Sequence, residues 1–405
     1  MLKRNNLLVA SAAVVATSLV SLPAQAGVKL KDEKSGIVVD LGGRLQVQTL
    51  FNDDDFIQNN DTEFKVRRAR FRLGIAPHPW WKMFLQTDFS NEAGTGSGGD
   101  VRLIDANITF KPHNLSQIVG GLHMAPVARQ NLTSSGGLMA IDRPGITNYV
   151  LTWGLNGRAR FNNSTLPGTN SGSVGDVAVR DLGLTLFGSG SASDTLHYKY
   201  YLGVADGSTK RQGDDNRFSV RAQLNYGDAE PGYFGLSTYL GKKQTIGVGI
   251  GYDTQDSIAA QGGTGGADVD YTFITIDAFA DWPVGPGFVT AEAAYSTLDL
   301  NDATNPLVAT PGEPSTDVNA DQSQGDGLYV QAGYLINNWQ PWIGYEQWDA
   351  DAANNAGDWD GFRVGVSYFF KGHNANVKLG YEKISNDTPG EVDIDTILLG
   401  AYITY

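Results

Sequence analysis

The sequence FKVRRARFRLGI, residues 64–75, alternates basic and apolar side chains and is the most informative part of this chain. In an extended strand successive side chains point to opposite faces, so Arg68, Arg70 and Arg72 would share one face. Neighbouring arginines on that face would lie roughly 7 Å apart on one line. Arg67 falls on the apolar side, which places it at a membrane interface or rim. We interpret the stretch as one wall of a lined pore; a water-facing strand of a soluble protein is the alternative.

The first residues predict export from the cytoplasm. Lys3 and Arg4 precede an apolar run at 7–22, and the small-residue sequence AQA precedes Gly27. This order is typical of a secretory signal peptide, which we place at residues 1–26. A transmembrane helix fits less well, because the apolar run is short and ends at a proline.

The overall charge is strongly acidic. The chain has 30 basic and 44 acidic side chains, and removal of the two basic residues of the signal peptide leaves 28 against 44, a formal charge of about −16. A nucleic-acid partner is not expected at this charge. The chain contains no cysteine, so it forms neither disulfides nor thiolate metal sites.

The composition favours a transmembrane β-barrel. Glycine accounts for 50 of the 405 residues, aromatic residues for 10%, and the mean hydropathy is only −0.24. After the signal peptide, no apolar run is long enough for a spanning helix. Instead, segments of about ten alternating residues end in aromatic side chains and precede turns rich in Gly, Asp, Asn and Ser. A barrel has a polar interior and an apolar exterior, so its mean hydropathy resembles that of a soluble protein.

Alternation predicts sixteen strands, all in one barrel domain at residues 27–405. An even number of strands places both chain ends on the same side, as in bacterial barrels. The predicted strands are 36–51, 64–75, 81–90, 101–111, 116–125, 176–187, 195–206, 216–240, 245–253, 270–282, 288–298, 327–336, 339–348, 360–371, 376–384 and 393–405.

Residues 126–175 break the alternation. A connection this long is usually functional or disordered. We predict an external loop that folds inward and narrows the lumen; a mobile external loop is the alternative. The basic side chains of this predicted constriction are Arg129, Arg143, Arg158 and Arg160.

The last strand carries a topological signal. Counting back from Tyr405, every second residue is apolar, which gives one apolar face headed by an aromatic terminal residue. This resembles the terminal signal by which an assembly machinery recognises outer-membrane barrels. A soluble edge strand with the same pattern is the alternative.

The inward faces of the predicted strands are mildly basic, in contrast to the acidic chain. Arginines in a pore can pair with the oxygens of a passing anion without trapping it. Alternatively, inward arginines pair with inward acids and only stiffen the barrel. The predicted pore-lining, anion-binding bases are Arg44, Arg68, Arg70, Arg72, Lys82, Lys199, Arg217, Arg221, Arg363 and Lys378. The predicted inward acids are Asp40, Asp88, Asp105, Asp277, Glu292, Glu346 and Glu382.

Several short motifs resemble the phosphate-selective porin O and P family. They are GRLQ at 43–46, Phe64 with RRAR at 67–70, Gly74, WK at 81–82, Gln86 with DF at 88–89, DA at 105–106, RDLG at 180–183, and residues 228–243 with EPG and YLGKK. The resemblance implies a homotrimer of sixteen-stranded barrels in the bacterial outer membrane. It also implies an arginine ladder, an infolded third external loop, and small inorganic anions such as phosphate as solutes.

These observations favour a passive porin for small hydrophilic solutes, anion-preferring and possibly selective for phosphate or polyphosphate. Lipids and lipopolysaccharide would surround it, and it would need no cofactor or metal. A general or cation-tolerant porin with dominant acidic mouths is the alternative. Catalysis is not expected, because the five histidines are scattered. The loop acids Asp349, Asp351, Asp358 and Asp360 could bind Ca²⁺ or Mg²⁺, although a solvated loop fits better.

Overall fold

The computed structural model describes most of the chain after the predicted signal peptide. The described residues are 27–54, 59–90, 101–144, 180–207, 215–261, 268–301, 307–308, 324–351, 358–386 and 394–405. The signal peptide prediction therefore lies outside the described residues. In the part of the chain that the structure describes, no helix is long and apolar enough to cross a membrane.

The described residues form one antiparallel sheet of eighteen strands. The strands are β1 (Val28–Lys31), β2 (Val38–Asp54), β3 (Asn59–His78), β4 (Trp81–Asp88), β5 (Arg102–His113), β6 (Ser116–Met124), β7 (Arg180–Ser191), β8 (Leu196–Ala205), β9 (Arg217–Gly227), β10 (Thr245–Gln261), β11 (Asp268–Val284), β12 (Gly287–Asp299), β13 (Leu307–Val308), β14 (Gly325–Leu335), β15 (Trp339–Ala350), β16 (Trp359–His373), β17 (Ala375–Asn386) and β18 (Ile394–Thr404).

The sheet closes into a barrel of sixteen strands, β2 to β12 and β14 to β18, each paired with the next. Closure is made by β18 and β2, which pair over eleven positions from Ile394↔Asp54 to Thr404↔Arg44. The prediction of a sixteen-stranded antiparallel barrel is confirmed. A closed barrel leaves no edge strand, so every strand satisfies its backbone hydrogen bonds on both sides.

Side chains alternate between the two faces of the wall along most of each strand. In β9, Phe218 and Leu224 are each 52% exposed on the outer face, whereas Arg217 and Arg221 are each 1% exposed on the inner face. Such an apolar exterior is stable only against lipid, because large soluble surfaces rarely expose contiguous apolar patches. The interior, in contrast, is polar and charged.

The two ends of the barrel differ in the length of their connections. Strand β2 begins and β18 ends at the same end, which we call the terminal end; the opposite end is the loop end. Most connections at the terminal end are short, whereas the chain between β6 and β7 at the loop end runs from residue 125 to 179. The short connections are residues 79–80, 114–115, 192–195, 285–286, 336–338 and 374.

One connection at the terminal end corrects the sequence prediction. We predicted a long strand segment at 216–240, interrupted at residues 230–232, but β9 ends at Gly227, which has a φ of +94°, and the chain leaves the sheet after it. Residues 228–244, called segment 228–244 below, turn into the barrel before β10 begins. Its apolar residues Leu236 and Tyr239 pack against Phe279 of β11 inside the barrel. In the sequence these residues look like part of a strand, because a segment buried inside the lumen and a strand of the wall both contain apolar side chains.

The chain after β6 also fills part of the interior. Residues 125–144, called loop 125–144 below, are almost entirely buried. Met139 and Ile141 pack against Trp342 of β15 and Tyr402 of β18, and Leu132 packs in a second cluster formed by β6, β7 and β8. The loop thus contacts strands on different sides of the barrel.

Two short strands were not predicted. Strand β1 pairs with the start of β2, where Val28 lies opposite Leu41. Strand β13 pairs with the end of β10, where Leu307 lies opposite Gln261. At four and two residues, both are too short to show a periodic pattern in the sequence.

Candidate functional site: the barrel lumen

Hydrogen bonds from lumen-facing side chains fix the path of loop 125–144. Arg221 donates to the carbonyl oxygen of Val127 at 3.0 Å. Farther along, Ser367 donates to Met139 O at 2.7 Å, and Lys378 donates to Ala140 O at 2.8 Å. Because Arg221 belongs to β9 and Lys378 to β17, the loop crosses the lumen between distant parts of the wall.

Lumen-facing glycines make room for this loop. A Cβ atom at Gly251 of β10 would lie 2.2 Å from Val127 O, and one at Gly333 of β14 would lie 2.5 Å from Met139 Sδ. The missing side chains therefore allow the loop backbone to approach the wall closely.

Substitution of one of these glycines tests the packing of the loop. We expect Gly251→Ala to displace the start of the loop or to destabilise the protein by about 1–3 kcal/mol, because a backbone oxygen blocks the added methyl group. The measurements are thermal unfolding and single-channel conductance. The matched control is Gly247→Ala on the same strand face, where the nearest atom is the flexible Asn225 amide at 3.0 Å. Equal behaviour of the two variants would contradict the described contact.

The central basic cluster forms around Ser135 of loop 125–144. Arg44 of β2 donates to Ser135 Oγ at 2.5 Å, and Arg70 of β3 donates to the same oxygen at 3.3 Å. Arg44 also approaches Ser134 Oγ at 3.5 Å. Two guanidinium groups therefore converge on one hydroxyl oxygen.

The two arginines differ in how they are neutralised. Arg70 forms an ion pair with Asp88 at 2.7 Å. Arg44 pairs with no carboxylate among the residues that the structure describes, and its Nε has no hydrogen-bond partner there. The charges that act most strongly on Arg44 are all basic. They belong to Arg70, Arg68, Arg72 and Arg143. Among the residues that the structure describes, this part of the lumen therefore carries an excess of positive charge.

A β-bulge corrects the predicted direction of Arg67. The register of β2 and β3 shifts between Gln46↔Arg68 and Val47↔Val66, so Arg67 is the extra residue. Such a bulge breaks the alternation, and Arg67 turns inward to pair with Asp142 of loop 125–144 at 2.6 Å. Arg68 pairs with the same carboxylate at 3.0 Å. Burial raises the pKa of Asp142, but the two arginines outweigh burial and hold this pKa well below its usual range.

Other predicted bases at this side hold the loop backbone. Lys378 donates to two loop carbonyl groups, and Arg363 of β16 donates to Arg143 O at 2.8 Å. Arg143 in turn donates to Thr133 O at 2.5 Å and Gln130 O at 3.3 Å within the loop. These bases donate to carbonyl oxygens of the loop, and Arg363 also forms ion pairs with Glu346 at 3.6 Å and Glu382 at 3.8 Å.

A second group of arginines lies on β7 and β9 and pairs with acids of β5, β7, β10 and β11. Arg217 bonds Asp253 through two nitrogens, at 2.7 and 2.8 Å, and Asp181 at 3.2 Å. Arg221 bonds both oxygens of Asp277 in the same way, and Arg180 pairs with Asp105 at 3.1 Å. This side of the lumen is nearly neutral.

The remaining predicted bases lie toward the terminal end. Lys199 is buried and donates to Gly232 O of segment 228–244 at 3.3 Å. Lys82 is exposed and lies beside Gly74 and Asp40. Arg72 is 6% exposed on the lumen face of β3. Arg158 and Arg160 of the predicted constriction lie outside the described residues.

Arg129 of loop 125–144 forms the largest paired network. Its guanidinium bonds both oxygens of Glu230 in segment 228–244, at 3.0 and 3.1 Å, and lies 3.6 Å from the ring centre of Phe279. Burial alone raises the pKa of Glu230, but the charge and hydrogen bonds of Arg129 lower it well below its usual range. Glu230 is therefore ionised at every physiological pH.

Sequence reasoning missed four acids in these networks, Asp142, Asp181, Glu230 and Asp253. Asp142 and Glu230 lie in irregular segments, where alternation carries no information. Asp181 and Asp253 follow the inward parity of their strands. Asp253 is the last residue of the predicted strand 245–253, whereas Asp181 lies in the middle of the predicted strand 176–187 and was overlooked. The pattern RDLG at 180–183 was noted only as a family motif.

The described residues contain no group of three or more side chains suited to hold a metal ion. Asp349, Asp351, Asp358 and Asp360 do not form such a group there. The lumen of the described residues is instead lined by fixed hydrogen-bond donors and paired charges, an arrangement typical of a selectivity region in a channel.

A closed sixteen-stranded barrel with an apolar exterior, a charged interior and an inward loop defines a transmembrane channel of the porin class. A family model for phosphate-selective porin O and P matches residues 39–391. The chain belongs to this family.

One curated relative is distant in sequence. An uncharacterized protein of Aquifex aeolicus (strain VF5) is 24% identical over 303 residues, which is 66% of this chain and 58% of the relative. This chain thus covers less than two thirds of that relative's length.

Two solved structures are similar in fold. An anion-selective porin from Comamonas acidovorans has a TM-score of 0.59 at 11% identity, with 91% of this chain and 100% of that chain covered. The trimer form of OmpT from Vibrio cholerae has a TM-score of 0.51 at 15% identity, with 91% and 99% covered. Family and fold together place this protein in the bacterial outer membrane as a channel rather than an enzyme. The short terminal end is then periplasmic and the loop end extracellular.

Proposed function

We propose that this protein is a passive porin that prefers anions, with phosphate among its solutes. The observation that carries the proposal is the convergence of Arg44 and Arg70 on Ser135 Oγ, with no carboxylate paired to Arg44 among the described residues. An oxyanion can replace the hydroxyl oxygen as acceptor and bring a charge that matches the two guanidinium groups.

The hydroxyl groups have a second use in this proposal. Ser134 and Ser135 can donate to an anion when its oxygens accept from the arginines. On loop 125–144, the partners of Arg44 and Arg70 are neutral hydroxyl groups and not carboxylates. An anion that binds the two arginines therefore has to displace only weak, neutral hydrogen-bond partners. Weak competition allows the anion to bind and also to leave, which conduction requires.

A general or cation-tolerant porin is the second candidate. It is favoured by the pairing of Arg217, Arg221 and Arg180 with acids, which removes most of their field from the pore. The chain is also acidic as a whole. In this case the mouths of the pore, rather than the central cluster, would determine selectivity.

Planar-bilayer recordings separate the two candidates. In a KCl gradient we expect the reversal potential of the wild-type protein to show higher permeability for chloride than for potassium. We also expect millimolar phosphate to reduce the chloride conductance, because phosphate occupies the cluster for longer. A cation-selective reversal potential would refute the proposal, and anion preference without a phosphate effect would limit it to a general anion pore.

We further propose that the protein works as a homotrimer surrounded by lipid and lipopolysaccharide. The outer face near the barrel closure is apolar, and Leu45, Phe71, Phe89 and Tyr405 line a groove of about 420 Å³ there. Tyr405 directly follows β18, the strand that we propose the barrel assembly machinery recognises after removal of residues 1–26.

A further inference from the structure

Segment 228–244 and loop 125–144 enter the lumen from opposite ends and bind each other through their backbones. Gly235 N donates to Leu132 O at 2.8 Å, and Ser134 N donates to Gly235 O at 3.0 Å. Ser237 N donates to Gly137 O at 3.0 Å. These bonds lie immediately on both sides of Ser135.

A buried carboxylate locks this contact. Glu230 accepts hydrogen bonds from Arg129 at both oxygens, from Gln223 at 2.7 Å and from Asn225 at 2.9 Å, and Tyr239 also donates to it. Gln223 and Asn225 belong to the wall strand β9. Glu230 therefore ties both inward segments to one place on the wall.

We propose that Glu230 is a positioning residue for the anion cluster. It contacts no solute itself; it holds segment 228–244 and Arg129 so that Ser134 and Ser135 stay in reach of Arg44 and Arg70. The selectivity of the pore is thus set from its periplasmic side. This inference rests on the proposed anion preference.

The sign of the effect distinguishes positioning from charge. Loss of the Glu230 charge alone would leave Arg129 less neutralised and would increase the preference for anions. If the loop instead moves, the serine hydroxyls separate from the arginines, and the preference for anions decreases. In Glu230→Gln an amide N–H₂ group replaces one acceptor oxygen and faces donors, so the contact opens.

The test compares Glu230→Gln with Asp228→Asn in the full-length protein. Asp228 is exposed in the same segment, and among the described residues its side chain accepts only from Gln244 N at 2.7 Å, so its variant loses the same charge without touching the loop. We expect the chloride-to-potassium permeability ratio to fall at least threefold in Glu230→Gln and to stay within experimental error in Asp228→Asn. An unchanged or increased ratio in Glu230→Gln would overturn the proposal.

Amide hydrogen exchange gives a readout that does not depend on selectivity. We expect exchange at residues 134–137 to accelerate in Glu230→Gln by at least tenfold. If the wild type shows no anion preference but this exchange accelerates, the proposed function fails and the structural link stands; unchanged exchange overturns the link. Should Glu230→Gln not assemble, Tyr239→Phe removes one donor to the carboxylate and should change both readouts in the same direction by a smaller amount.

Discussion

Replacing both arginines of the central cluster, Arg44→Ala with Arg70→Ala, is expected to lower the chloride-to-potassium permeability ratio about tenfold. A unit charge at about 5 Å from a permeating ion contributes roughly 0.8 kcal/mol in a water-like dielectric. Two such charges attract chloride and repel potassium, which separates the two ions by roughly 3 kcal/mol without salt, and salt screening reduces this difference by about half. An energy of 1.4 kcal/mol corresponds to a factor of ten in the ratio. Reversal potentials in a KCl gradient measure the change directly.

A charge-matched variant controls for the net charge of the protein. Lys111 and Lys371 are exposed at the periplasmic end, and Lys111→Ala with Lys371→Ala also removes two positive charges. This control should leave the permeability ratio unchanged. If the control and the arginine variant reduce the ratio equally, then the acidic mouths, not the cluster, determine selectivity.

The lumen charges are arranged asymmetrically, and this asymmetry explains why only some arginines are expected to act on ions. On the β2–β4 side, Arg67 and Arg68 share one carboxylate, and Arg44 adds a charge without an acid partner among the described residues. On β9, Arg217 pairs with two carboxylates, Asp181 of β7 and Asp253 of β10. Under the proposed function, the same residue type serves anion binding in one place and stability in the other.

The strands of the barrel wall can be predicted from the sequence because the alternation of side chains that identifies them is a local pattern. Alternation depends only on neighbours in the chain, so it yields sixteen strands and the inward parity of Arg68 or Arg217. It fails where an extra residue breaks the alternation, as at Arg67. It also fails where a segment is buried by distant strands, as for residues 228–240.

Pairing in the lumen could not be predicted for a different reason. The partner of Arg129 is Glu230, 101 positions away in another irregular segment. Ser135 meets Arg44 across 91 positions of the chain. Such contacts depend on the path of two inward segments, and no periodicity in the sequence encodes that path. Hence the sequence of residues 64–75 alone could not show which arginines lack a carboxylate partner and could bind an anion.

Arg217 was predicted to line the pore, but we expect its substitution to act mainly on stability. Arg217→Met leaves Asp181 and Asp253 buried without their cation, and a broken buried pair costs about 3–5 kcal/mol. Both carboxylates lie inside the wall, where Arg217 is 1% exposed. Guanidinium unfolding in detergent micelles should therefore show a clear loss of stability relative to the wild type.

Neutralising the acids together with the arginine distinguishes stranded charge from lost packing. The triple variant Arg217→Met, Asp181→Asn and Asp253→Asn carries no unpaired charge at this place, so it should recover most of the lost stability. The Tyr271 hydroxyl, which donates to Asp253 at 2.5 Å, can still donate to the asparagine oxygen. If Arg217→Met unfolds like the wild type, the arginine is hydrated rather than paired and belongs with Arg44 among the charges available to ions. If the triple variant is as unstable as the single one, packing of the guanidinium rather than its charge supports this part of the wall.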